Sequence, residues 1–475
     1  MNIKAVEKIL RDNKQLKLLE QVSNFSEDQL NNLYNQLKSV PWDEYSFNSN
    51  QNQTITPSSI SPSKVISLKD RSFGDQDYNR IGLEAYKNGE VAVLIVAGGQ
   101  GTRLGSSSPK GCYKIGAVSG KSLYQLHAEK VLALSLRFGQ RIPLLIMTSL
   151  ATDAETRDFF KANKFFGLAE EQIKFFMQAS IPSFDLDGNL LLSRPGELVV
   201  NPDGHGGCFT ALAQSGLLDE LSTKGIKHLI YIQVDNILAP IFDPYLLGLA
   251  VHERADVITK VVEKRNAEEK VGLLVSVSVS KIVEKAGIKT TKNENDTVKE
   301  YIELPKEILE EKEHDGRLKY RAGNTAMHYW NINFLEQTSK QGFKLPLHAS
   351  KKPLMVWNKG QEEMVEGYKY ERFIFDLIPK ANVSLGLEVD RNREFAPLKN
   401  KTGNDSPETI NQLTSELFKT WFKESGIEIP ISMQVEISPL FAMNAETVNQ
   451  TLSFDDKVRK LVMAKLEKKE SIYLE

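Results

Sequence analysis

The first chemistry this chain offers is a glycine turn followed by two cations. In "AGGQGTRLGSSSPKG" (97–111), Gly98, Gly99 and Gly101 end an apolar run, and Arg103 and Lys110 follow in the same loop. Glycine lets backbone N–H groups approach an anion with no Cβ in the way. Arginine adds a planar fork of donors and lysine a point charge, a combination that suits a polyphosphate. Taken singly, either cation reads as a solvated surface charge and the glycines as an ordinary tight turn. Two commoner phosphate loops are excluded. No Gly-Lys-Ser/Thr follows at the spacing of a Walker loop. The third glycine of GxGxxG is missing, and no acid lies about twenty positions on to hold a ribose hydroxyl, which argues against a nicotinamide-dependent oxidoreductase.

Two further stretches carry chemistry of their own. Asp235, in "VDN" (234–236), ends an apolar strand pattern at the edge where α/β sheets hold ligands. A carboxylate there suits Mg2+ (or Mn2+), which keeps few protein ligands and borrows phosphate oxygens; the plain alternative is a helix cap. "NPDGHGG" (201–207) reads as a turn-rich loop that lets a ligand come close, or as a plain connection. No Ser-His-Asp or Cys-His arrangement stands out. Cys112 and Cys208 are the only cysteines, too few for a disulfide framework or a zinc quartet.

The elements that must position these residues follow an α/β rhythm. "VAVLIVA" from Val91, "IPLLIMTS" from Ile142, "IKHLIYIQVDN" (226–236) and "DVITKVVEK" (256–264) read as strands, the apolar runs as buried ones. Between them, "SLYQLHAEKVLALSLRFG" and "TDAETRDFFKANKFFG" read as amphipathic helices, the second capped by Thr152 or Asp153. The expected architecture is α/β: a central, doubly wound, Rossmann-like mixed sheet with an N-terminal helical region and a smaller C-terminal α+β domain. Residues 3–38 read as helices, with Ser26-x-x-Gln29 as a capping box, and 46–63 as a linker. "GLLVSVSVS" and "KEYIEL" read as β-rich, the second placing Glu300 and Ile302 on one strand face. "YERFIFDLIPKA" reads as a helix and "IEIPISMQVEISPLFA" as β-rich. The partition is 1–85, 86–385 and 386–475.

Composition narrows the class. Among 475 residues, 41% are hydrophobic and 26% charged, with a net charge of −2, an ordinary globular balance. It lacks the basic excess of a protein spread over nucleic acid. No apolar run is long enough to span a bilayer, and no secretory leader is visible. The expectation is a cytoplasmic protein, monomeric, with neither nucleic acid nor membrane as partner.

The glycine loop resembles the signature G-G-x-G-T-R-L with downstream P-K of the nucleotide-sugar pyrophosphorylases, most of all the eukaryotic UDP-N-acetylglucosamine pyrophosphorylases. The resemblance continues in order through "FFMQ" (175–178), "NPDGHGG", "VDN", "VVEK" (261–264), "KVGLL" (270–274), "KEYIEL" (299–304), "AGNTAMH" (322–328) and "EFAPLKN" (394–400). It implies transfer of a uridylyl group from UTP to N-acetylglucosamine 1-phosphate, with release of pyrophosphate. Arg103 and Lys110 would bind the leaving phosphates, and Lys399 would reach the phosphates near the reaction centre. Gly98, Gly99, Gly101, Gln178 and Gly204 would hold the nucleotide, Gln178 offering both donor and acceptor to uracil. Asp235 would serve phosphate or metal. Gly272, Glu300 and Asn324 would meet the sugar, with His205 grouped on the same side. His205 stands where family members often carry Asn, which leaves its contact open. A UDP-glucose or broad UDP-sugar pyrophosphorylase, and a non-catalytic sugar-nucleotide sensor, are the alternatives.

Overall fold

The strand order follows from which runs are apolar on both faces. The structure is a computed structural model that describes residues 3–45, 60–71, 75–280, 292–358 and 360–475. Among the described residues, one mixed sheet has eleven strands, eight of them in the order Val65–Ile66, Ser384–Glu388, Val257–Glu263, Ala322–Asn331, His228–Gln233, Val91–Val96, Leu144–Thr148, Ile173–Met177. Val91–Val96 and Leu144–Thr148 are buried at every position, as expected of parallel strands covered on both sides. Ala322–Asn331 runs antiparallel to both neighbours; the other pairs on this path are parallel. Leu273–Ser280, Lys292–Lys299 and Ile60–Pro62 extend the sheet to one side. The sheet is therefore the mixed α/β sheet that the alternation of strands and helices predicts.

Connectivity places the binding edge. From Val91–Val96 the chain steps outward to Leu144–Thr148 and Ile173–Met177, then returns to His228–Gln233 on the other side of its starting strand. The loops after Val96 and Gln233 therefore diverge, which opens a crevice at the carboxyl ends of these two strands. Helix Leu123–Phe138 starts at Ser122, whose side chain accepts from Gln125 N. In front of helix Asp153–Ala162, Thr152 holds the N-cap position, but its hydroxyl bonds Ser149 instead of capping. One core joins Ile95, Tyr124, Ile146 and Ile232 to Leu398, Trp421 and Phe422, so helix Pro407–Glu424 packs into the same apolar interior as the sheet.

Chain contacts group the residues into two units, each built from three segments: 1–55, 178–211 and 342–377; and 56–177, 212–341 and 378–475. The sheet belongs to the second. In the first, helices Ile3–Asp12, Leu16–Leu19 and Glu27–Lys38 share a core with Ile181, Phe184, Leu190 and Tyr370. Ser26 and Gln29 form the reciprocal capping box. The buried Gln15 amide donates to Gly188 O and accepts from Leu190 N. A long hairpin, His348–Asn358 with Gln361–Glu371, pairs with Phe184–Asp185.

Four sequence expectations change. Within the expected linker, residues 46–59 lie outside the described residues, and Ile60–Pro62 is a strand paired with Leu273–Ser280. The strand Lys292–Lys299 stops just before Glu300, where Glu303 N bonds back to Glu300 O in a turn. The stretch 370–381 is the end of a strand followed by a 3-10 helix, Ile374–Lys380, with Pro379 inside; proline lacks the N–H that an α-helix needs there. From 427 to 442 only Val435–Ile437 is a strand.

Candidate active site

The glycine loop folds back on itself. Gly101 N donates to Ser108 O, and Lys110 N donates to Gly99 O at 3.1 Å. Two short 3-10 turns, Thr102–Leu104 and Lys110–Cys112, carry Arg103 and Lys110. Gly98 O accepts from Ser149 Oγ at 2.7 Å, which ties the loop to the next strand. A Cβ on Gly99 would point into open space.

Asp235 collects both lysines. Lys110 Nζ donates to Asp235 Oδ2 at 2.8 Å, and Lys399 Nζ donates to the same oxygen at 2.7 Å. Burial alone would raise this carboxyl; the ammoniums of Lys399 and Lys110 outweigh it and hold it well below the usual carboxylate range. Burial pushes the Lys110 ammonium down, helped by the positive charges of Lys399 and Arg103, while Asp235 opposes the change. Lys399 moves up, chiefly through Asp235. Arg103 is exposed, close enough to oppose charge on both lysines. Asp235 is thus no helix cap but the counter-ion of a cationic pair. Both bonds go to Oδ2. Among the described residues, no group of three or more His, Cys, Asp or Glu could hold a metal.

Strand register brings the sugar-motif residues to the same edge. Tyr231 pairs with His328 on the antiparallel strand, so four residues further on Asp235 and Asn324 lie at one end of the sheet. Asn324 N donates to Gly272 O at 2.8 Å. A Cβ on Gly272 would come 3.3 Å from Glu300 Oε1. Gly272, Glu300 and Asn324 therefore form one cluster. The register between Val257–Glu263 and Ala322–Asn331 shifts between Thr259 and Val261; in this bulge Ala326 takes φ 57° and donates to Asn324 Oδ1 at 3.0 Å. Bulges of this kind re-aim a side chain next to a site.

Gln178, Gly204 and His205 belong to the first unit. Gln178 is buried, with no hydrogen-bond partner for Oε1. Gly204 has φ 85°, and a Cβ there would lie 2.5 Å from Arg372 O; its own backbone packing requires glycine. His205 Nδ1 accepts from Ile374 N at 3.1 Å, and its ring lies against Phe373 and Phe375. These contacts explain a histidine here without a ligand. Cys208 is buried and Cys112 partly so, both free.

The family profile described as UTP–glucose-1-phosphate uridylyltransferase matches residues 41–461. The chain belongs to this family. Among its uridylyltransferase relatives, the UDP-N-acetylglucosamine pyrophosphorylase of Saccharomyces cerevisiae is 39% identical over 417 residues, 85% of this chain and 84% of that protein. UDP-N-acetylglucosamine diphosphorylase 2 of Arabidopsis thaliana is 35% identical over 405 residues, 81% and 77% of the two chains. The crystal structure of the uridine diphosphate N-acetylglucosamine pyrophosphorylase from Trypanosoma brucei, in complex with inhibitor, superposes with a TM-score of 0.81. It is 26% identical and covers 99% of this chain and 98% of its own.

Within this uridylyltransferase architecture, motif reading passed over two lysines whose partners lie in other segments. Lys130, on helix Leu123–Phe138, donates to the carbonyls of Ile237 and Ala239 just beyond Asp235. Burial lowers its ammonium to about 7. Lys260 lies buried among carboxylates. The signal available for both was a charge inside an apolar stripe or strand, which reads as an interruption unless a partner is in view.

Proposed function

We propose that this chain is the uridylyltransferase that converts UTP and N-acetyl-α-D-glucosamine 1-phosphate to UDP-N-acetylglucosamine and pyrophosphate. The observation that carries this reading is the Lys110–Asp235–Lys399 cluster at the crevice edge, in a chain similar throughout to proteins named for that product. The nucleophile is a phosphate oxygen of the sugar phosphate, already anionic at neutral pH, so no general base is required. It attacks the α-phosphorus of UTP in line; the bond from the α-phosphorus to the bridging oxygen breaks, and its electron pair leaves with pyrophosphate. The obstacles are repulsion between polyanions and the charge that grows on the leaving group, so positioned cations supply the catalysis.

In this reading Arg103 and Lys110 hold the leaving β- and γ-phosphates, and Lys399 meets the phosphates at the reaction centre. Asp235 keeps both ammoniums charged and in place until phosphate oxygens replace its own. Gly98, Gly99 and Gly101 give the nucleotide close backbone approach. Gly272, Glu300 and Asn324 meet the sugar. Asp235 is the residue that would hold Mg2+ or Mn2+, a hard cation suited to a carboxylate. When bound, it would neutralise phosphate charge. The same reading has the chain working as a cytoplasmic monomer on small molecules, without nucleic acid or membrane partners. No helix among the described residues is long and apolar enough to cross a membrane.

The test is pyrophosphate release from UTP with N-acetylglucosamine 1-phosphate, N-acetylgalactosamine 1-phosphate or glucose 1-phosphate. Preference for the first supports the reading. Equal or faster turnover of glucose 1-phosphate would replace it with a UDP-glucose or broad UDP-sugar pyrophosphorylase. Binding without turnover of any of the three would leave the sugar-nucleotide sensor.

A further inference from the structure

Lys260 lies mid-strand in Val257–Glu263, where every residue but the terminal Glu263 is buried, and its side chain is only 2% exposed. An ammonium at that depth must be paired, and an apolar side chain of its size would fill the slot with less desolvation. Its partners explain what it does there. Lys260 Nζ donates to Asp243 Oδ2 and, at 2.7 Å, to Glu394 Oε2. Asp243 uses its other oxygen to cap helix Pro244–Glu253, accepting from Leu246 N at 3.0 Å.

Glu394 leads to the phosphate end. It closes the short helix Arg391–Glu394, and its main-chain oxygen accepts from Asn236 Nδ2 at 2.8 Å. From there the chain lies along Asp235 and Asn236. Ala396 N donates to Asn236 Oδ1 at 3.0 Å, and Leu398 N donates to Asp235 O at 2.9 Å. The next residue is Lys399, whose ammonium reaches Asp235. On its other side, Lys260 O accepts from Thr325 Oγ1 at 2.8 Å, beside Asn324 in the bulge. One buried residue thus touches both the segment that delivers Lys399 and the bulge that presents Asn324.

We propose that Lys260 is a positioning residue for uridylyl transfer, clamping Glu394 so that Lys399 arrives in register at the reacting phosphate. This rests on the function proposed above. A misplacement of about 1 Å in such a group costs roughly a hundredfold in rate, so the clamp should act on kcat more than on binding.

The experiment is a set of double-mutant cycles between the clamp and Lys399. The full chain is assayed with UTP and N-acetylglucosamine 1-phosphate as wild type, Lys260→Met, Glu394→Gln, Lys399→Met and the two doubles with Lys399→Met. Glu394→Gln leaves Lys260 paired with Asp243, so it tests the clamp even where Lys260→Met fails to fold. The expected result is a kcat lowered about tenfold by Glu394→Gln and about 10- to 100-fold by Lys260→Met. KM should stay within about threefold. On the Lys399→Met background each should cost less than about twofold more, because the group they position is gone. Losses that simply multiply, or a Glu394→Gln enzyme with wild-type kcat, overturn the proposal while the wild-type reaction stands. A wild type that forms no UDP-sugar removes the proposed function and this inference with it.

Discussion

Lys110 and Lys399, from distant parts of the chain, donate to one and the same oxygen, Asp235 Oδ2, at 2.8 and 2.7 Å. Two ammoniums so close repel each other strongly in a buried setting, and only the shared carboxylate makes the arrangement tenable. Phosphate oxygens can take over the same role. The two lysines are therefore held together by an anionic group, and substrate phosphate oxygens would compete with the Asp235 carboxylate for them.

Removing that carboxylate charge should show in the pH profile. Asp235 raises both lysines electrostatically. In Asp235→Asn this support disappears, so each ammonium releases its proton at a lower pH. The alkaline limb of kcat/KM should move to lower pH, with turnover reduced near neutrality. A pH–rate series on wild type and variant checks this. An alkaline limb that stays in place would mean that neither lysine controls it.

The lysines themselves should matter to the transition state. Lys110→Met and Lys399→Met should each lower kcat by about 10²–10³, the scale for removing one preorganised donor from a developing charge. Arg103→Ala, at an exposed position, should cost roughly tenfold, since solvent already screens its charge. Steady-state kinetics with both substrates varied separate these losses from changes in KM. Either lysine variant turning over within twofold of wild type would take that residue out of the mechanism.

How far the sequence reached depends on what each feature required. The parallel core was legible because strands buried on both faces must be apolar at every position, as Val91–Val96 is. The glycine loop and its two cations stood out in the sequence because their residue types carry local chemistry; that they hold phosphate is part of the proposed function. Glu300 was harder: "KEYIEL" alternates like a strand, but the chain turns at Glu300, where Glu303 Oε2 accepts from Glu300 N at 2.9 Å. That local side-chain bond is invisible to periodicity. Lys260 and Lys130 were missed for the opposite reason, since their partners lie in other segments. A unit assembled from three separate segments is likewise not expressed by dividing the chain from left to right.

Asp203, in the loop before His205, should set a pH dependence of stability. Burial raises its carboxyl to about 7, with Arg372 pulling the other way, and its Oδ1 has no hydrogen-bond partner. A folded-state value above the unfolded one means that the folded chain binds the extra proton. The stability it contributes is therefore full below about 4 and lost as the pH rises to about 7. Asp203→Asn removes the titration. Urea midpoints measured from pH 4 to 8 should fall less steeply for the variant than for wild type. Parallel curves would show that Asp203 ionises with an ordinary pKa.

Two glycines in the same loop should fail in opposite ways when replaced by alanine. At Gly99 an added Cβ meets nothing within 4 Å, so Gly99→Ala should fold with wild-type stability. If the nucleotide approaches the backbone there, the methyl group stands in its path, and KM for UTP should rise by about tenfold, equivalent to roughly 1.4 kcal/mol. At Gly111 the added Cβ would lie 2.2 Å from the buried Tyr124 ring. Gly111→Ala must therefore displace a packed aromatic, at a cost of about 1–3 kcal/mol. Denaturant unfolding together with KM for UTP distinguishes the two positions. Gly99→Ala with unchanged stability and unchanged KM would show that the nucleotide does not approach this loop through Gly99. A Gly111→Ala enzyme as stable as wild type would show that Tyr124 can move aside without loss.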